Sequence, residues 1–83
     1  MSESIKNGTI EEKKIRLERW ISQKYSLDEK ATIIFDNIIT YAVGNAFMVG
    51  YEDTKEFLLF MLDGVVEEAD TLTIMKELFG GIQ

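Results

Sequence analysis

Apolar and polar positions along this chain recur at the helical period, and the strongest stretch is 27–50, LDEKATIIFDNIITYAVGNAFMVG. On a wheel of about 100° per residue, Leu27, Ala31, Ile34, Phe35, Ile38, Ile39, Tyr41, Ala42, Asn45, Ala46, Met48 and Val49 cover about half the circumference. So wide an arc predicts a spine helix over 27–49 that packs against two or more neighbours. Ser26 and Glu29 form a Ser-x-x-Glu pair suited to cap its start.

The flanking segments follow the same period. Thr9 and Glu12 form a second capping box and open a helix over 10–24, with Ile10, Leu17, Trp20 and Ile21 on one side and Ile15 on the other. The short connection through Tyr25 and Ser26 predicts a tight antiparallel hairpin with the spine. A break at Gly50-Tyr51-Glu52-Asp53, with Asp53 and Glu56 as a further box, precedes a helix over 54–69. Its run Phe57-Leu58-Leu59-Phe60-Met61-Leu62 requires burial on nearly all sides or cover from a second subunit. Asp70 or Thr71 then caps a short helix over 71–79, closed by Gly80-Gly81 in the left-handed conformation; a single bent helix over 54–79 is the alternative. Residues 1–8 read as a flexible N-terminal arm and 9–83 as a single helical domain. The expected fold is all-α: a small bundle of three main helices plus a short C-terminal one.

Charge sharpens this picture. The net charge of −6 lies wholly in the last 33 residues, where eight acidic side chains face only Lys55 and Lys76. If 52–70 is helical, Glu52, Glu56, Asp63, Glu67 and Asp70 form one acidic stripe. Three readings of it stand: a solvated outer face, pairing with Lys13, Arg16 or Arg19 within or across chains, or a docking face for a basic protein partner. An acidic domain repels phosphates, so nucleic acid is an unfavoured partner. The basic flank of the first helix is laced with i,i+4 pairs, Glu12–Arg16 and Lys14–Glu18, which favours solvation.

Chemistry is scarce. Without cysteine or histidine, the common nucleophiles, bases and soft metal ligands are missing, and no calcium or phosphate loop is present. The sequence predicts no enzyme, no cofactor and no metal. The longest uncharged run, Asn37–Tyr51, is short for a bilayer span, and no basic-then-apolar leader opens the chain, so a soluble cytoplasmic protein is expected.

Apolar residues make up 46% of the chain, more than three helices readily cover, which predicts a homodimer. Its seam is expected at Ala42, Asn45, Ala46, Phe57, Phe60 and Met61. The small residues Ala42, Ala46 and Gly50 recur every four positions, though ordinary packing within one chain accounts for them as well. Asn45, central in the apolar arc, is expected to cap a neighbouring helix, to pair with its symmetry mate or to meet a ligand. The function expected is a small acidic interaction module, an adaptor or inhibitor of bacterial or phage accessory type. The alternatives are a dimeric nucleic-acid-associated regulator using the basic flank, and an apolar-ligand bundle with Asn45 and Tyr41 at the base of its pocket.

Overall fold

The computed structural model of the chain describes residues 9–80; the arm expected over 1–8 lies outside the described residues, as does Gly81. The described chain is all-helical: α1 (Ile10–Tyr25), α2 (Glu29–Met61) and α3 (Glu68–Phe79). Each helix packs on both others.

Helix α1 starts as its sequence dictates. The Thr9 side chain accepts from the Glu12 backbone N–H at 3.1 Å, and Glu12 accepts from the Thr9 N–H at 3.0 Å. Ser26 does not cap α2. It closes α1 in a left-handed conformation (φ 54°, ψ 47°), and the N-cap of α2 is Asp28, whose carboxylate accepts from Ala31 N–H at 2.8 Å. Ser26 and Asp28 stand two positions apart, and Asp28, in extended backbone, takes the cap because Ser26 is held in the left-handed close of α1.

Helix α2 is two arms, 29–49 and 51–61, joined through Gly50 at φ 85°, ψ 173°. That backbone region is open essentially to glycine alone. Thr54, itself buried, donates its hydroxyl to the Gly50 carbonyl one turn back at 2.7 Å, a side-chain bond that ties the second arm to the break. The second arm folds back toward the first, so the Tyr41 and Phe57 rings lie 5.2 Å apart.

The helix expected over 54–69 starts earlier and ends sooner. The second arm begins at Tyr51, ends at Met61, and gives way to a turn through Gly64 (φ 82°), before α3 begins at Glu68 rather than at 71. Gly64 in the left-handed region ends the helix that its neighbours would otherwise continue. Gly80 is right-handed (φ −65°, ψ −24°), so the expected left-handed stop is absent at that residue.

The core joins Leu17 and Ile21 of α1 to Phe35, Ile39, Ala42 and Leu58 of α2 and to Ile74, Met75, Leu78 and Phe79 of α3, with Leu62 and Val66 from the turn. Only part of the broad arc on α2 is covered. Ile34, Tyr41 and Met48, which share that arc in sequence, are exposed, because α1, α3 and the returning arm occupy just one side of the helix.

Candidate functional site

The outward side of the first arm of α2 is the main surface feature. Ile33, Ile34, Tyr41, Phe47 and Met48 are exposed there, Phe47 at 99% and Met48 at 80% of their full surface. They share the face with Asn37, Thr40 and Gly44, and no charged side chain interrupts it between Lys30 and Glu52 apart from Asp36, which is turned aside to Lys14 (Nζ to Oδ1, 2.8 Å). Large apolar side chains exposed together on one helix mark a surface that meets something other than water. By length and composition alone, Glu29–Met61 is also apolar enough to cross a membrane: an 18-residue window averages 1.3 in hydropathy with 17% of it buried. Mostly buried core helices of globular proteins meet the same criterion; here Phe35, Ile39 and Ala42 are core residues while most of the window is exposed.

The residues expected at a self-association seam divide. Ala42 is buried within the chain, and Ala46 and Phe57 pack against the core. Asn45 donates from Nδ2 to the Tyr41 carbonyl of its own helix at 2.8 Å, so its amide is spent one turn back. Phe60 (78%) and Met61 are exposed. The more prominent residues, Phe47 and Met48, were hidden in sequence by their place in an apolar run. Only the position of the returning arm shows which side of that run stays open.

The acidic stripe is broken by the turn. Glu52 and Glu56 stay on the second arm, while Asp63 and Glu67 lie in the connection, all four exposed. On that side Phe60 stands one turn beyond Glu56 and seven residues beyond Asp53, which makes an apolar centre with acidic neighbours. Asp70 leaves the set. It is buried in the first turn of α3, where it accepts from the Tyr25 hydroxyl and from Lys24 Nζ at 3.1 Å. The phenol and then the ammonium hold its carboxyl below the usual aspartate range.

A second ionic cluster ties α1 to α2. Lys14 Nζ donates to Asp36 at 2.8 Å and to Thr40 Oγ1 at 3.1 Å, and lies 3.6 Å from both Glu11 and Glu18. Glu18 has a buried Oε2 with no hydrogen-bond partner. Burial, reinforced by the facing Asp36 carboxylate, pushes its pKa up to about 7. Asp36 moves the other way, held down by Glu18 and Lys14. Among the described residues, no group of three or more carboxylates is arranged to hold a metal ion.

Concavities also open among the described residues. The small space near Asn45 and Tyr41, about 180 Å³, falls below the usual 300–1,000 Å³ of ligand sites. A groove of about 390 Å³ lies at the Gly50 break, walled by Ile10, Val43, Phe47, Tyr51 and Phe79. A shallower one of about 430 Å³ runs between α1 and α3, with Arg16, Arg19 and Trp20 on one side and Thr73 and Glu77 on the other.

No protein family model, curated protein or solved structure matches this chain.

Proposed function

We propose that this chain is a small, non-enzymatic, cytoplasmic interaction module, a bundle that works as a homodimer and presents an acidic face to a basic protein partner. The observation that carries the reading is the uncharged outer face of α2, with Phe47 and Met48 almost fully exposed. Covering such side chains on association removes apolar area from water, the main driving term in protein assembly. The acidic surface is separate: Phe60 with Asp53 and Glu56 resembles a small anchor inside a charged rim, a form suited to a basic amphipathic helix.

Light scattering on a sizing column tests the first half. A mass of two chains at micromolar concentration is expected, falling to one chain in Met48→Glu with helical circular dichroism unchanged. A wild-type chain that stays monomeric at high concentration removes the dimer. Reversing Glu56 and Asp63 to lysine leaves the dimer mass intact and abolishes salt-sensitive retention of a basic helical peptide; retention that survives the reversal removes the acidic-face assignment.

A second reading, a nucleic-acid-associated regulator, rests on the groove bearing Arg16, Arg19 and Trp20. It requires salt-dependent retention on heparin, lost in Arg16→Glu with Arg19→Glu. Flow-through at low ionic strength ends it.

A further inference from the structure

Resting on the dimer reading, we infer that two copies pair antiparallel along the outer face of the first arm of α2, about a two-fold axis near Tyr41, with Gly44 of each receiving Asn37 of the other.

The face has a regular seam. Lys30, Ile34, Asn37, Tyr41, Gly44 and Met48 follow one another at alternating spacings of four and three, the spacing by which two helices keep contact over several turns. Gly44 stands out in it. It sits in mid-helix with helical geometry, and a Cβ built on it would meet nothing within 4 Å. The chain carries the usual glycine penalty there without any close neighbour of its own to require it. A backbone left bare at the centre of an exposed apolar face is where another helix can approach.

Charge fixes the direction. The uncharged face is bounded by Lys30, which has no ion pair among the described residues, and at its other end, just past the Gly50 break, by Asp53 and by Glu52, which lies 3.2 Å from Lys55 Nζ. Parallel pairing sets Lys30 against Lys30 and Glu52 against Glu52. Antiparallel pairing sets each Lys30 beside the other copy's acidic end, and like-charge contact is the stronger discriminator between such arrangements. The same two-fold places Ile33 and Ile34 against Phe47 and Met48, so large side chains meet large ones and the patch is self-complementary, as an isologous interface requires. The exposed parts of Ile33, Ile34, Tyr41, Phe47 and Met48 together offer on the order of 700 Å², close to the roughly 800 Å² per partner of a standard interface. A bilayer is a poorer match, because Glu52, Asp53 and Glu56 at the borders of the face outnumber Lys30 and Lys55, and anionic headgroups repel that balance.

The chain has no cysteine, so single engineered thiols report the pairing directly. Ile33→Cys mixed with Met48→Cys should form the mixed disulfide in preference to either self-linked product, and Tyr41→Cys should link to itself. Gly44→Leu should raise the dimer dissociation constant about tenfold or more. Lys30→Glu and Glu52→Lys should each weaken the dimer and together restore it. A wild-type dimer in which Ile33→Cys links to itself is parallel, and overturns the inference while leaving the dimer standing. A dimer with none of these links places the seam elsewhere and overturns it as well. A monomer by light scattering removes the underlying reading, and co-sedimentation of that monomer with phosphatidylcholine vesicles assigns the face to a bilayer.

Discussion

The hydroxyl of Tyr25 donates to the carboxylate of Asp70 and accepts from the backbone N–H of Glu67 at 3.0 Å, so one side chain at the end of α1 fixes the first turn of α3. Lys24 adds its ammonium to the same carboxylate at 2.9 Å, while lying 5.7 Å from the Trp20 ring and 5.8 Å from the Tyr25 ring. Helix α3 has no side-chain N-cap of its own, since the Glu67 side chain makes no capping bond. The junction does that work from another helix.

Removing it should loosen α3 first. Asp70→Ala leaves the phenol and ammonium without their acceptor, and a lowering of the melting temperature by about 4–8 °C is expected for a domain of this size. Tyr25→Phe keeps the ring and loses both hydrogen bonds, so it should fall in the same direction with faster amide exchange in 68–72. The Asp70 pKa is depressed, so its stabilisation is present above the ordinary aspartate value and is lost as pH falls through the folded one, below about pH 4. Tyr25 is raised, chiefly by Asp70, so its part is lost as pH rises through its folded value, above about pH 10. An unchanged exchange pattern in Tyr25→Phe would show the contact to be incidental.

Glu18 gives a pH dependence closer to neutrality. Its folded pKa of about 7 lies above the unfolded value, so folding favours the protonated form. Its contribution is full below about pH 4.3 and is lost as pH rises through 7. Asp36 runs oppositely, losing its contribution only as pH falls through a value below the ordinary one. Thermal melts should therefore weaken between pH 5 and pH 8, roughly, and Glu18→Gln should flatten that slope and raise the melting temperature at the alkaline end. Lys14→Ala should deepen the loss there, because Glu18 and Asp36 then face each other without the ammonium. A slope that persists in Glu18→Gln would move its origin to another group.

How far the sequence carries can be judged at individual residues. The helical class and the Thr9–Glu12 cap follow from local pattern, and local pattern is what the structure obeys there. Asp70 was misplaced because a wheel drawn over 52–70 assumes an unbroken helix. Gly64 ends the helix after Met61, and the break turns Asp70 from the acidic side into the Tyr25 junction. Gly50 was legible as a break, but the direction in which the second arm returns depends on a φ, ψ pair that composition does not specify. That direction decides which half of the α2 arc is covered. For this reason Ala42 is core and Met48 is surface although both belong to one apolar arc.

Phe47 and Phe60 separate the two proposed surfaces. Both are exposed, so a polar substitution at either should change the stability of the isolated chain by less than about 0.5 kcal/mol. Phe47→Ser should dissociate the dimer in light scattering, since the side chain lies on the α2 face. Phe60→Ser should leave the mass at two chains and weaken retention of a basic helical peptide. The reverse assignment would show that self-association uses the second arm.

Gly44 and Gly50 provide the sharpest contrast within α2, because neither has an atom within 4 Å of a built Cβ and only their backbones differ. Gly44 is helical, so Gly44→Ala should stabilise the dilute, dissociated chain by about 1 kcal/mol through helix propensity. At concentrations where two chains associate, the same methyl intrudes on the close approach and the gain should shrink or reverse. Gly50 has φ 85°, which an L side chain adopts at a cost, so Gly50→Ala should destabilise by about 1–3 kcal/mol at every concentration. Thr54→Val, which removes the hydroxyl from the Gly50 carbonyl, should lower stability by about 1 kcal/mol and report on the same break. Denaturant melts at two chain concentrations separate these effects. A Gly44→Ala gain that is independent of concentration would mean that no helix approaches there, and a neutral Gly50→Ala would mean that the arm returns by another backbone route.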